Sequence, residues 1–439
     1  MQNFPMKNIC LCLLLVGFSG CASYSNSFQR VEFLLSQQQP EEALVEVEKR
    51  ANSSSDKLLY LMDKAMLQRM SGQYEASNTT FEAAKKLGDK LTATSILEQA
   101  GAITLNDSIM SYEGEDFERV AVHMYSALNY IALNQWDEAR VEALQADFLL
   151  QKLREDADKD TVFAEDAFAR YLMGMIYEHG QEWSDAMISY RKALLSYQTR
   201  NKSEVPTFLK YDVLRMATRL GLIDEVSRYK QEFGISPSTS DLSMRDKGEV
   251  IVLLHHSLSP IKRDENVFVL GDDGIEHRIA FPVFESRSSP MAYAQLVIGD
   301  ERINLDKVND FDVAARESLE THKPAMMARL LARAIVKHNM AEAMRKESGE
   351  LAGFMMNMAA MATETADTRS WLTLPKDIYL ARVALPEGKY PASLQLFGAN
   401  EMPLAILPLP EVEVVRGGKY VFEKIWVKSP LPAVVTKPQ

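Results

Sequence analysis

The sequence predicts an α+β protein: a helical-repeat half followed by a β-rich half that carries a helical insert. Three observations lead there. Between about residues 30 and 233, apolar residues recur at i, i+3 and i+4, as in Leu58, Leu61, Met62, Ala65 and Met66, with short breaks such as Ser71-Gly72-Gln73. At Gly234-Ile-Ser-Pro-Ser-Thr-Ser-Asp the text becomes linker, and beyond it the period drops to two, first in Glu249-Val-Ile-Val-Leu-Leu-His. Residues 312–366 then return to helix before alternation resumes. The divisions are 1–20 for a signal segment, 21–29 for a tether and 30–235 for the helical array. A linker at 236–246, a mixed β domain at 247–428 and a Pro-rich tail at 429–439 follow.

Lys7 precedes an apolar run from Ile9 to Gly17, and small residues Ser19 and Gly20 lead into Cys21. The run is about nine residues, too short to cross a bilayer core of ~30 Å as a helix. It reads as a secretory signal with a small-residue cleavage site. Phe18-Ser19-Gly20-Cys21 resembles the bacterial lipoprotein box Leu-(Ala/Ser)-(Gly/Ala)-Cys, with Phe in the place of Leu. The resemblance implies a diacylglycerol thioether on Cys21 and an acylated N-terminus, palmitate among the acyl groups. With Ala22 rather than Asp next, it implies an outer-membrane anchor facing the periplasm. Three acyl chains, at ~0.8 kcal/mol per buried methylene, exceed what stable anchoring needs. A plain signal peptide with a coincidental cysteine is the alternative. The polar, Ser-rich stretch from Ala22 to about Phe28 reads as tether.

The formal net charge is −12. An acidic balance argues against a nucleic-acid partner and gives no general attraction to anionic lipid. The cysteines are Cys10, Cys12 and Cys21, so a processed chain keeps only the acylated one. That leaves no disulfide, thiolate nucleophile or cysteine metal site. His255-His256 is the only adjacent histidine pair, and H-E-x-x-H is absent. No catalytic residue, metal or cofactor, and no small-molecule substrate, is expected.

Within the helical half one pair of helices is clearest. Met173-Gly174 and Tyr177 on its first helix, and Trp183, Ala186, Tyr190 and Ala193 on its second, resemble a tetratricopeptide repeat, with the turn glycine, Gly180, one place early. Small residues let the two helices approach, and aromatics fill the wedge to the next pair. Tyr74, Phe81 and Ala84, after Gly72, fit a weaker copy in which Ser77 replaces an alanine. Trp136, Ala139, Ala143 and Ala146 fit another, preceded by Ala127 and Tyr130. Gln38–Arg50 reads as the end of an earlier copy and Asp212–Phe233 as a last one, giving three to five repeats. An irregular helical bundle is the alternative. Such arrays bind peptides or helices on a concave face. In the gap between copies, Asn106-Asp107 and Tyr112-Glu-Gly-Glu-Asp-Phe117 form a loop entering a helix. Glu115 and Asp116 suit a helix N-terminus, and Asp107, Glu113, Glu115 and Asp116 lack the spacing of a calcium loop.

In the second half, Asn266–Leu270 and Ile275–Phe281 read as a hairpin around Gly271-Asp272-Asp273-Gly274, and Ala292–Ile298 with Arg302–Leu305 as another. Val313–Thr321 is one expected helix, and Pro324 opens a second, to about Ser348. Leu351–Thr365, rich in methionine, is expected as a buried helix on the sheet, with a partner interface or membrane contact as alternatives. Ile378–Leu385 turns through Pro386-Glu-Gly-Lys into Tyr390–Leu396. Glu411–Val415 and Tyr420–Trp426 are expected as a last hairpin. Ala366-Asp-Thr-Arg-Ser-Trp371 reads as a corner with Asp367 and Arg369 paired and Trp371 buried.

The lipid-box start, the Asn106–Phe117 segment and Ala366–Trp371 before Leu374-Pro375 together resemble one family of tetratricopeptide-type lipoproteins of Gram-negative bacteria. The resemblance covers most of the chain. It implies a non-catalytic adaptor at the envelope, near peptidoglycan synthesis or remodelling, with a protein or peptide partner and membrane contact through Cys21. A subunit of a secretion or surface assembly is the alternative. A divergent hydrolase using Ser370, Asp272 or Asp273 is a third reading.

Overall fold

The computed structural model describes residues 24–51, 54–102, 110–156, 166–199, 204–238, 242–270 and 276–428. Cys21, the 1–20 signal and the 429–439 tail lie outside them, as do Asn106, Asp107, Asp272 and Asp273. Among the described residues ten helices come first, as five antiparallel pairs: α1 (Tyr24–Ser36) with α2 (Pro40–Glu48), α3 (Lys57–Met70) with α4 (Tyr74–Ala102), α5 (Asp116–Ala132) with α6 (Trp136–Asp156), α7 (Ala167–His179) with α8 (Trp183–Thr199), and α9 (Thr207–Arg219) with α10 (Ile223–Phe233).

One turn is used five times. The left-handed place is held by Gln38, Gly72, Asn134, Gln181 and Gly221 in the successive pairs. The next N–H always donates to the carbonyl five residues back: Gln39 to Leu34 at 3.0 Å, Gln73 to Gln68 at 2.8 Å, Gln135 to Tyr130 at 2.8 Å, Glu182 to Tyr177 at 2.9 Å and Leu222 to Ala217 at 2.9 Å. This is the Schellman closure of a helix C-terminus. Gly180 is not the left-handed residue; it keeps φ −71° and Gln181 takes that place. The 21–29 tether is corrected too: α1 begins at Tyr24, and Phe28, Val31, Leu34 and Leu35 form a buried stripe against Ala43, Val47, Tyr60 and Leu67. The stripe starts at Phe28, directly after the serines whose polarity suggested a tether.

The second half builds two four-stranded sheets. The first has β1 (Lys247–His256), β6 (Asp306–Asp310), β7 (Asp377–Pro386) and β12 (Lys419–Trp426) in the order β12-β1-β7-β6. The second has β4 (Tyr293–Ile298), β5 (Glu301–Asn304), β9 (Ala392–Phe397) and β10 (Pro403–Pro408) in the order β10-β9-β4-β5. Side chains alternate across a strand, and here that separates two cores. Val250, Val252 and Leu254 of β1 face Leu296, Leu394 and Leu396 of the second sheet. Ile251 and Leu253 join the core of the helical array. The order of layers is helices, sheet, sheet, and β1 is buried on both faces except at Lys247.

Two expected hairpins do not form. β12 pairs parallel with β1, from Glu249 opposite Lys419 to His256 opposite Trp426. β11 (Val412–Val414) pairs instead with β8 (Gly388–Tyr390). β7 and β9 lie in different sheets. The reason is two-sided burial: β12 places Tyr420 and Phe422 against the inter-sheet core and Glu423 against the helices.

An arm of four elements remains: β2 (Ile261–Leu270) paired with β3 (Glu276–Glu285), and α11 (Phe311–Ser348) folded back on α12 (Glu350–Thr363). Helix α11 runs unbroken through Pro324, which is exposed, where two helices were expected. The base of α11 enters the main core through Phe311, Ala314 and Ala315. The methionine-rich helix is not buried on a sheet. Only Gly353 and Asn357 of α12 are buried, while Leu351, Phe354, Met355 and Met358 are exposed.

Candidate interaction site

The inner side of the helical array is already filled. The first helix of each pair from α3 to α9 turns polar side chains toward the first sheet, and the sheet or the segment leading into β7 answers them. Asp63 of α3 accepts from the Thr373 hydroxyl at 2.8 Å. Arg69 of α3, its side chain 2% exposed, donates to Asn129 and to Glu423 of β12. His255 of β1 lies between Glu423 at 2.8 Å and the Tyr125 hydroxyl at 3.2 Å. Burial depresses the pKa of His255, and Arg69 with His255 holds Glu423 down to about 2.

Arg382 of β7 closes the far end. Its guanidinium donates to Tyr171 at 2.9 Å, Tyr190 at 3.3 Å, Asp212 at 2.8 Å, Glu178 at 2.8 Å and Glu249 at 2.7 Å. Arg215 donates to Asp212 at 2.7 Å and to Glu178, and Lys419 pairs with Glu249 at 2.9 Å. Three carboxylates thus meet three cations in a buried, neutral set. The charge of Arg382, followed by that of Lys419, holds Glu249 down to about 2 against the cost of burial. A cavity of about 580 Å³ lies beside this cluster. The sequence reading missed it. The signal available was one arginine on the inward parity of Ile378-Tyr-Leu-Ala-Arg, a face otherwise apolar, which demands acidic partners from another element.

The expected packing residues sit at the helix contacts. Phe81, Ala84, Ala139, Ala186, Tyr190 and Ala193 are buried, as is Tyr177. A Cβ added to Gly174 would lie 2.6 Å from the Tyr190 ring, so glycine is what lets α7 and α8 close up. Trp136 is half-buried and stacks on His179 at 3.8 Å; Trp183 lies beneath Arg219 at 3.6 Å. Tyr74 is half-buried, with Arg69 5.8 Å from its ring centre. Cys21 has no described position.

The structure brings the two segments that carried the family resemblance together at the root of the arm. Arg369 grips Asp367 with two bonds, at 2.9 and 2.7 Å, and reaches Asp56 at 3.1 Å and the Met110 carbonyl at 2.9 Å. Glu118 accepts from the Trp371 amide at 2.7 Å, the Tyr112 hydroxyl at 2.6 Å and the Glu115 amide at 3.1 Å. Glu115 caps α5 and pairs with Lys262 of β2, while Ser318 of α11 donates to it at 3.1 Å. Burial, then the neighbouring charge of Glu115, raises the Glu118 carboxyl to about 7. Trp371 is fully buried, edge-on to Phe81 and Tyr125. Ser370 is 2% exposed, out of a substrate's reach. A cavity of about 350 Å³ opens here between array and arm.

The arm is the apolar surface. Twelve of the twenty-four large apolar side chains exposed among the described residues lie on β2, β3, α11 and α12. The first four are consecutive, Val267 to Leu270, and Leu331, Ile335, Met340 and Met344 line α11. Helix α12 is held by its polar and small side: a Cβ on Gly353 would meet the Arg345 Cβ at 2.7 Å, and Glu364 just beyond pairs with Arg333 and Lys337.

No family model matches the chain, and no curated protein does. Among solved structures, MamA residues 41 to the end from Desulfovibrio magneticus RS-1 is 15% identical with TM-score 0.30, covering 47% of this chain and 89% of that one. A putative kinesin light chain with nearly identical TPR-like repeats from Podosopora anserina is 14% identical with TM-score 0.33, covering 47% and 92%. Apo RapI is 12% identical with TM-score 0.37, covering 52% and 56%. At scores this low, the repeat character rests on the five shared turns and the small-residue contacts.

Proposed function

We propose that this protein is a non-catalytic interaction scaffold of the bacterial cell envelope, held at the outer membrane on its periplasmic side by lipid on Cys21. The observation that carries the scaffold reading is the arm. A folded chain that leaves Leu351, Phe354, Met355 and Met358 in water along one helix, and Leu331, Ile335, Met340 and Met344 along the helix it folds back on, has a surface made for a protein. The inner side of the array cannot take a peptide while the first sheet fills it. The expected binding face is therefore moved from the array to the arm. The partner is an envelope protein, and the resemblance drawn from the sequence favours the machinery of peptidoglycan synthesis or remodelling. Lipidation rests on Phe18-Ser19-Gly20-Cys21.

A photo-crosslinking side chain placed at Phe354 or Met358 in intact cells tests the site. We expect it to capture a discrete protein, with no capture from Ile188 on the outer side of α8. Equal capture at both positions sinks the arm as the site. Cys21→Ser separately tests the anchor: it is expected to leave the membrane fraction, and retention there refutes lipidation.

A further inference from the structure

Strand β2 is unpartnered in a specific way. It pairs with β3 over ten residues along one edge, and along the other it meets no described strand. Its outer six residues, Glu265 to Leu270, are all exposed. An exposed strand edge that ends in four apolar residues, Val267 to Leu270, is a template for another strand. On α12, which packs on α11 and β3, Leu351, Phe354, Met355 and Met358 are 48 to 75% exposed. Side chains of this size, partly exposed, offer on the order of 100 Å² or less each. The eight on β2 and α12 therefore offer on the order of 800 Å², about what one partner gives to a stable interface.

Charge narrows the occupant. The four elements of the arm carry ten basic and ten acidic residues, in a chain of net charge −12. A neutral arm lacks the basic excess that draws a helix onto anionic lipid. Two such arms meet without repulsion, whereas the acidic bodies behind them do not.

We propose that the arm is a homodimer interface. The free edge of β2 pairs antiparallel with β2 of a second copy about a two-fold axis, giving a four-stranded ribbon. The α12 faces of both copies cover it. A two-fold contact is closed, so it consumes the edge and stops at two chains. The proposal rests on the scaffold reading above and names the envelope protein that the arm takes: a second copy of this chain.

The test uses the full lipidated chain extracted in mild detergent, with protein mass read by light scattering. We expect two chains per particle. Val269→Lys combined with Phe354→Glu should give one chain per particle with an unchanged circular dichroism spectrum and melting temperature. Phe268→Cys should form an inter-chain disulfide on mild oxidation, doubling the mass on a non-reducing gel. A wild-type particle of one chain at tens of micromolar overturns the proposal, as does a double variant that remains two chains. If wild type is a single chain and binds vesicles of phosphatidylcholine and phosphatidylglycerol through these residues, the arm is a membrane face and the dimer is refuted. If the dimer fails while Phe354 still captures a different protein in cells, the scaffold reading survives alone.

Discussion

Arg382 shows how much one side chain holds here. It is the only cation of its cluster that touches all three carboxylates, and those carboxylates come from α7, α9 and β1. Removing it leaves Glu178, Asp212 and Glu249 to Arg215 and Lys419, one buried negative charge in excess. Breaking a buried pair this way costs about 3–5 kcal/mol. Arg382→Met should lower the denaturation midpoint accordingly, and an unchanged midpoint would show that the cluster does not join the layers. Gly174→Ala drives a methyl into Tyr190, whose hydroxyl bonds Glu178 at 2.6 Å and Arg382 at 3.3 Å. Overpacking of this kind costs about 1–3 kcal/mol, and a thermal melt reads it. The two residues differ in legibility. Gly174 stood in a recognisable spacing, whereas the partners of Arg382 lie 133 to 211 positions away and no local pattern points to them.

At the scale of elements, pH sets two opposing demands. Glu118 titrates near 7 when folded against an ordinary value near 4.5. Between those values the folded chain holds a proton that the unfolded chain has lost, so this group makes stability fall as pH rises. Glu249 and Glu423, held down to about 2, act the other way: they stabilise above about 4.5 and that contribution is lost as pH falls toward 2. His255, whose pKa burial depresses, pulls the other way as pH rises toward its ordinary 6.5, so the Glu118 contribution is read against a Glu118→Gln reference in a denaturant titration. Glu118→Gln should flatten the decline between about 4.5 and 7; a slope identical to wild type would show that the junction of α5 with the Trp371 segment does not carry it. The same scale shows where pattern reading succeeds. Helices and strands announced themselves through their periods, as did the β2–β3 hairpin with its short turn. The direction of a helix face did not: an apolar stripe on α12 reads the same whether it faces a core or water. Gly353 and Asn357, small and polar, were the residues that marked the buried side. Strand partners at long range were equally silent, so β12 was assigned to its sequence neighbour.

Across the whole molecule the helical array and the first sheet act as one body, since Ile251, Leu253 and Leu380 belong to the same core as Tyr125 and Tyr171. Heating should therefore unfold array and sheets in a single transition, with far-ultraviolet and tryptophan signals coincident. Two separated transitions would show independent domains instead. The division drawn at 236–246 is a change of secondary structure, and the core continues across it.

The parallel ladder between β1 and β12 sets a schedule. Arg69, fixed on the third helix, waits for Glu423, which is made more than three hundred residues later. Until then β1 and β7 can meet Tyr125, Tyr171, Glu178 and Asp212, but Arg69 lacks its carboxylate. A chain cut short before Lys419 should therefore leave Arg69 without Glu423 and Glu249 without Lys419.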